Sequence, residues 1–313
     1  MELEHPLWMW TVFVVSVLVL LAFDLGVLHK KPREIKVREA LRLSGFYILI
    51  ALAFNLWIFF SLGQQSGYEF FVGYVIEKSL SIDNIFVFVL IFGHFAIPPK
   101  SQHRVIFWGI IGAILMRAVM ILLGAELIHE FDAILYVFGA FLIYSGIKML
   151  IVADKEPDIE NNSLLRFMRK RFRVADTFSG EKFFVRKDGV RYMTPLFVVL
   201  ILIQVSDVVF AVDSIPAIFA VTTDSFIVLT SNIFAILGLR ALYFALAAII
   251  HRFHYLKYGL SLILVFIGTK MVVNHYMDAK IISTELSLVV TLVLLGVSVG
   301  VSLLKSPSTP SHS

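Results

Sequence analysis

Apolar runs about 20 residues long recur along almost the whole chain, separated by polar stretches in which Lys and Arg gather. At ~1.5 Å per residue, a run of that length crosses a ~30 Å hydrocarbon core as an α-helix. The pattern predicts spans at 7–28, 43–62, 69–93, 104–123, 133–153, 194–219, 226–250, 257–275 and 284–304. A membrane β-barrel would show alternating segments of ~10 residues, and none is present. The expected fold is an all-α polytopic membrane protein with about nine transmembrane helices. The first run follows MELEHPLWMW, which has neither a basic n-region nor a small-residue cleavage site, so it reads as a retained span and not a signal peptide.

Charge placement orients these spans. The segments at 29–42, 94–104, 154–193 and 251–258 and the C-terminal tail hold 21 Lys and Arg residues. The N-terminus and the alternate loops hold one, Lys280. The positive-inside rule then places the N-terminus outside and the C-terminus in the cytoplasm. The one sizeable polar segment, 154–193, contains LLRFMRKRFRV, with apolar residues at 164, 165, 168 and 172 and basic residues between them. It predicts a short amphipathic helix lying on the anionic cytoplasmic leaflet.

Composition narrows the function classes. Only 16% of the 313 residues are charged and mean hydropathy is +0.88, whereas soluble domains carry roughly 25% charge. The pI of about 9.2 is explained by these loop cations, so nucleic acid is not an expected partner; the lipid bilayer is. With no cysteine, disulfides, thiolate metal sites and thiol redox chemistry are excluded within these residues. No Walker A motif, dinucleotide fingerprint or HExxH is present, so neither ATP-driven pumping nor membrane proteolysis has support, and no enzyme activity is expected.

The chain also repeats itself. Residues 128–150 align without a gap to 250–272 with eight of 23 positions identical, including His129/His251, Tyr136/Tyr258 and Lys148/Lys270. Upstream, Arg117 matches Arg240, Glu77 matches Asp207, Asp83 matches Asp213 and Asn84 matches Ser214. Charged residues in matching order are not produced by shared apolar composition. The expected organisation is two N-terminal helices in 1–62, a three-helix repeat in 69–153, the basic loop 154–193, a second repeat in 194–275 and a last helix at 284–304. Three spans per repeat give the two halves opposite orientation, the inverted arrangement of secondary transporters, whose site lies near the midplane.

That midplane holds the candidate chemistry. A charge at a helix centre costs roughly 2.5–3.5 kcal/mol on the insertion scale, so Glu77, Asp83, Asp207 and Asp213 must find partners. If spans 3 and 6 pack antiparallel, Glu77 lies at the depth of Asp213 and Asp83 at that of Asp207, gathering four carboxylates. Six residues is an awkward spacing, because side chains so placed project ~120° apart on a continuous helix. Either the helix breaks between them or each acid faces a different neighbour; Ser79, Ser81, Asn84, Ser214 and Pro216 favour a break in both halves. An all-oxygen set that includes Asn84 and Ser214 suits a hard divalent cation such as Mn²⁺, Mg²⁺ or Ca²⁺ as transported substrate, with protons as coupling ion and no permanently bound cofactor. Alternatively the acids only neutralise Lys78, Arg117, Lys148, Arg240 and Lys270. Arg117 and Arg240, with Lys78 and Asn232, are candidates for support or gating. Asp24 reads as interfacial, Asn55 and Asn232 as interhelical hydrogen-bonders, His129 and His251 as packed or capping residues, and Met116, Met149 and Met271 as structural.

GYVIEKSLSIDNIFVF, VSDVVFAVDSIPAIFAVTTD, SNIFAILGLRALYF and LKYGLSLILVFIGTKM closely resemble the TerC family of bacterial membrane proteins, nearest its Alx-like branch, over roughly residues 7–304. The resemblance implies a place among the LysE-type transporters with inverted three-helix repeats, location in the bacterial inner membrane, and export of manganese. It carries Glu77, Asp83, Asn84, Asp207, Asp213 and Ser214 over as the metal path. Tellurite resistance, the family's namesake phenotype, reads as indirect, because an oxyanion does not suit four carboxylates. Two rival expectations remain: a membrane scaffold for assembly or metal loading of other proteins, and export of an anion or amino acid.

Overall fold

The computed structural model describes residues 5–28, 37–131, 133–152, 163–175, 180, 182–187, 190–247, 255–277 and 281–305. Over these the chain forms α1 (Leu7–Leu28), α2 (Val37–Leu62), α3 (Gln64–His94), α4 (Pro99–Glu130), α5 (Ile134–Val152) and α6 (Ser163–Arg171), then a hairpin of β1 (Phe184–Lys187) and β2 (Val190–Met193). It continues through α7 (Pro195–Phe219), α8 (Ser225–Leu237), α9 (Leu239–Leu246), α10 (Leu256–Tyr276) and α11 (Thr284–Leu304). The hairpin is antiparallel, with Phe184 opposite Met193 and Lys187 opposite Val190.

Among the described residues, α1, α2, α4, α5, α7, α10 and α11 are long and apolar enough to cross a membrane. Helices α8 and α9, bent by 41° where Gly238 interrupts them, make an eighth span if taken together. The expected count of nine therefore stands at eight by length and apolarity. The difference is α3: its 31 residues suffice in length, but Glu77, Lys78 and Asp83 fall in its middle.

Local signals set the helix ends. Pro99 and Pro195 open α4 and α7, where a missing N–H costs nothing. Asp224 caps α8, accepting from Phe226 N at 2.9 Å and Ile227 N at 3.2 Å, and Ser283 caps α11 at Leu286 N. A single residue, Gly63 at φ 100°, joins α2 to α3, in a backbone region that L side chains rarely adopt.

Helices α3, α7 and α8 make the interior, while α1, α5 and α11 turn wide apolar faces outward, as lipid-facing helices do. Helices α5 and α10 pack closely along their length, where Gly139 meets Gly268 and Gly146 meets Ser261. A Cβ on Gly268 would lie 2.7 Å from the Gly139 carbonyl oxygen, so the crossing depends on having none. Gly268→Val is expected to cost about 1–3 kcal/mol through overpacking. Thermal unfolding of the purified variant in detergent checks this, and an unchanged midpoint would show that the crossing relaxes freely.

Helix α6 forms inside LLRFMRKRFRV as expected, with one change. Leu165 and Met168 are buried within the protein, where α6 rests on α7, and not turned to a leaflet. Phe167 and Phe172 remain exposed.

Candidate functional site

Both α3 and α7 run unbroken through the acidic motifs, and α7 continues through Pro216. The expected break between paired acids therefore does not occur; the bend lies at Gly238 instead. On continuous helices, residues seven apart return to within ~20° of one direction, whereas residues six apart diverge. Glu77 and Asn84 thus share one face of α3, Asp207 and Ser214 share one face of α7, and these faces meet.

Arg117, from α4, places its guanidinium between them. Nη1 donates to Glu77 Oε1, to Ser214 Oγ at 3.1 Å and to Asn232 Oδ1 of α8 at 3.1 Å. Nη2 and Nε donate to the two carboxylate oxygens of Asp207 at 3.2 and 3.4 Å, a bidentate grip. Asn84 Nδ2 also donates to Asp207, and Asn232 Nδ2 to Glu77 Oε2, each at 3.2 Å. None of these six residues is more than 3% exposed. Gly73 lets α8 come this close to α3, since a Cβ there would lie 2.8 Å from Ser231 Oγ, one residue before Asn232. Gln204 Nε2, donating to Gly109 O at 2.7 Å, ties α7 to α4 between the same two helices.

The antiparallel depths expected of α3 and α7 are present, but one residue along. Glu77 shares a level with Ser214 and Asp207 shares one with Asn84, and one guanidinium spans both levels. With both carboxylates ionised the cage carries one negative charge in excess. Two buried oxygens, Asn84 Oδ1 and Ser81 Oγ, have no hydrogen-bond partner, and both sit on the Glu77 side of α3.

Asp83 and Asp213 lie outside the cage, half-buried. Asp213 accepts from Ser145 Oγ of α5 at 2.5 Å and has Lys148 as electrostatic neighbour, and Asp83 has Lys257. The expected gathering of four carboxylates is thereby corrected to two carboxylates with neutral oxygens. Among the described residues no three His, Cys, Asp or Glu are placed to hold one metal ion.

The supporting candidates divide. Lys78 Nζ donates to Ala235 O at 3.0 Å in the last turn of α8, a cation at a helix C-terminus beside the bend. Arg240, which the sequence alignment matches to Arg117, is not in the cage. Its Nη1 holds Asp24 Oδ2 at 2.8 Å, and Tyr47 donates to Asp24 Oδ1 at 3.3 Å. Asp24 is buried, so the interfacial expectation is corrected: an acid inside the apolar run of α1 needed a cation, and that was the available signal. Asp24→Ala is expected to cost about 3–5 kcal/mol by stranding Arg240; a thermal-unfolding loss much below that of Gly268→Val would count against it. Asn55 Oδ1 makes no hydrogen bond, His129 is exposed, and His251 lies outside the described residues.

Beyond the end of α7 a cavity of ≈ 280 Å³ is lined by Glu69, Thr222, Thr223, Lys270 and Asn274 among others. Glu69 precedes Glu77 on α3 by ~12 Å of helix.

A sequence model of the family described as Integral membrane protein TerC family matches residues 62–309. An uncharacterized membrane protein of Myxococcus xanthus is 47% identical over 303 residues, covering 97% of this chain and 94% of its own. An uncharacterized membrane protein of Rickettsia bellii is 48% identical over 288 residues, 92% and 95% of the two chains. The Escherichia coli K12 protein called "Putative membrane-bound redox modulator Alx" is 48% identical over 277 residues, 86% of each. No solved structure matches the chain.

Proposed function

The chain belongs to the TerC family of integral membrane proteins, and on that premise we propose that it exports Mn²⁺, or a similar hard divalent cation, through the Arg117 cage. One observation carries this reading: an oxygen-only nest of two carboxylates, two amides and a hydroxyl is buried mid-helix around a cation supplied by the protein itself. Such donors suit hard divalent ions, and no sulfur ligand is present to favour softer ones.

In this mechanism Arg117 is the resident counter-cation of the empty state. A divalent ion matches the two negative charges of Glu77 and Asp207, so it takes the place of the guanidinium, which must swing aside along α4. Asn84 Oδ1 and Ser81 Oγ are then the spare donors that complete the ion's shell. Protons are the coupling species, because carboxylates left without either cation are stabilised by protonation. Asp83 and Asp213 serve as flanking stations, and the Glu69 cavity as the outer vestibule.

The inverted repeat is part of the same reading. Aligning 128–150 with 250–272 exchanges the Gly139–Gly268 contact with the Gly146–Ser261 contact, as a two-fold relation between halves requires. The bend at Gly238 supplies the discontinuous span on which transporters pivot. The orientation follows the positive-inside rule, with the C-terminus in the cytoplasm of a bacterial plasma membrane. The redox role in the Alx name cannot run through a thiol relay within these residues, which lack cysteine.

A second reading treats the cage as a structural ion pair in a membrane scaffold that assists assembly or metal loading of other proteins. The observation favouring it is that every guanidinium nitrogen of Arg117 already has an acceptor. Flux decides between them. Reconstituted into proteoliposomes, the full chain is expected to move Mn²⁺ saturably under a proton gradient, with Mg²⁺ or Ca²⁺ as competitors. Flux no greater than in protein-free vesicles, under gradients of either sign, would sink the transport reading.

A further inference from the structure

The polar segment between α5 and α7 carries a feature that cation transport does not use. A groove of ≈ 320 Å³ opens between the end of α6 and the hairpin, lined by Arg171, Phe172, Arg173, Phe184, Arg191 and Tyr192 with Met193. We propose that this groove binds the phosphate head group of an acidic membrane lipid.

Three observations converge on that ligand. The first is charge. Arg171, Arg173 and Arg191 are exposed, and no carboxylate among the described residues pairs with them. Residues 163–193 hold nine Lys and Arg against three Asp and Glu. Guanidinium groups sharing one groove repel each other until an anion screens them, and their planar forks match phosphate oxygens.

The second is the wall. Arg191 sits over the Phe184 ring, 4.1 Å from guanidinium carbon to ring centroid, which holds one fork at the groove. Backbone bonds from Ala175 N to Met193 O at 2.8 Å and from Met193 N to Arg173 O at 2.9 Å hold the other arginine strand beside β2. The groove is thus built and not merely a run of basic residues.

The third observation selects a lipid over a free phosphate. Phe167 of α6 and Phe172, one residue past its end, are 57% and 43% exposed, whereas Leu165 and Met168 of the same helix are buried in the protein. Aromatic rings standing out beside guanidinium groups at the margin of an apolar bundle are interfacial anchors, one part for acyl chains and one for head groups. The groove also connects to the cage. Thr194 Oγ1 donates to Lys182 O and Phe183 O, Phe197 packs at a tilt against Phe184 with ring centroids 4.5 Å apart, and Arg104 of α4 lies over Phe183. Asp207 is then ~18 Å along α7 from the hairpin.

The test is lipid titration of the detergent-purified full chain, read by native mass spectrometry. Wild type is expected to retain phosphatidylglycerol over phosphatidylcholine at least about ten-fold, given roughly five-fold per basic residue at a surface. Arg171→Gln/Arg173→Gln/Arg191→Gln should bring the ratio near one, and Arg171→Gln/Arg173→Gln, which leaves the Arg191–Phe184 stack intact, should remove most of it. Phe167→Ser/Phe172→Ser should weaken both lipids. An unchanged preference in the arginine variants overturns the assignment. So does full displacement by millimolar inorganic phosphate with no effect of the phenylalanine pair, which would make the groove a free-phosphate site.

Discussion

Arg117→Ala is expected to rank with Asp24→Ala as a strongly destabilising substitution in the interior, costing about 3–5 kcal/mol. The change removes the one cation that, among the described residues, is bonded to Glu77 and Asp207, and leaves both carboxylates almost fully buried. Stranded charges are expensive because the low-dielectric interior offers no hydration in exchange. Arg117→Lys should fall between wild type and Arg117→Ala, since one ammonium cannot reproduce a bidentate hold on Asp207 together with bonds to Glu77, Ser214 and Asn232. The neutral combination Arg117→Met/Glu77→Gln/Asp207→Asn should recover most of the loss, because nothing ionised then remains to be paired. Thermal unfolding of the set in one detergent checks the order. An alanine variant as stable as wild type would mean that the cage is wet or its acids protonated.

The second large effect concerns flux. Glu77→Gln and Asp207→Asn should each lower Mn²⁺ flux in proteoliposomes by about 100-fold or more, as about 3 kcal/mol of lost charge attraction at a desolvated ion implies. Asp83→Asn and Asp213→Asn should stay within about ten-fold of wild type, because those acids meet Lys257, Ser145 and Lys148 outside the cage. The two pairs are both acidic and both mid-helix, so the comparison isolates position. Equal loss at all four sites would mean that the transporting state gathers four carboxylates after all, in a geometry different from this one.

Much of this protein was legible before any coordinates. Apolar runs of membrane length forced helices, because a backbone in lipid must satisfy its own hydrogen bonds. The order of Glu77, Asp83 and Arg117 matches that of Asp207, Asp213 and Arg240, which is the sequence signal for two related halves. Glu77, Asn84, Asp207, Ser214, Arg117 and Asn232 could all be named as candidates, since a polar group mid-membrane is costly without a purpose. What misled was counting acids. The six-residue spacing between carboxylates drew attention, and it suggested a helix break that α3 and α7 do not have. The working interval is seven, and half of each pair is the neutral neighbour Asn84 or Ser214.

The partners of the arginines were out of reach of pattern. Arg117 and Arg240 stand at matching places in the sequence alignment, yet one enters the cage and the other binds Asp24 of α1. Periodicity says which face of a helix a residue occupies, and hydropathy says at what depth. Neither says which of several neighbouring helices turns toward that face. That choice was made by tertiary packing: Gly73 admitting α8, Gln204 tying α7 to α4, and the α5–α10 crossing at its glycines. The sequence by itself determined that the chain is an all-α membrane bundle, where its charges lie and which polar groups needed partners. Only the folded bundle decided which charges meet, because ion pairing acts across contacts between helices that no single helix encodes.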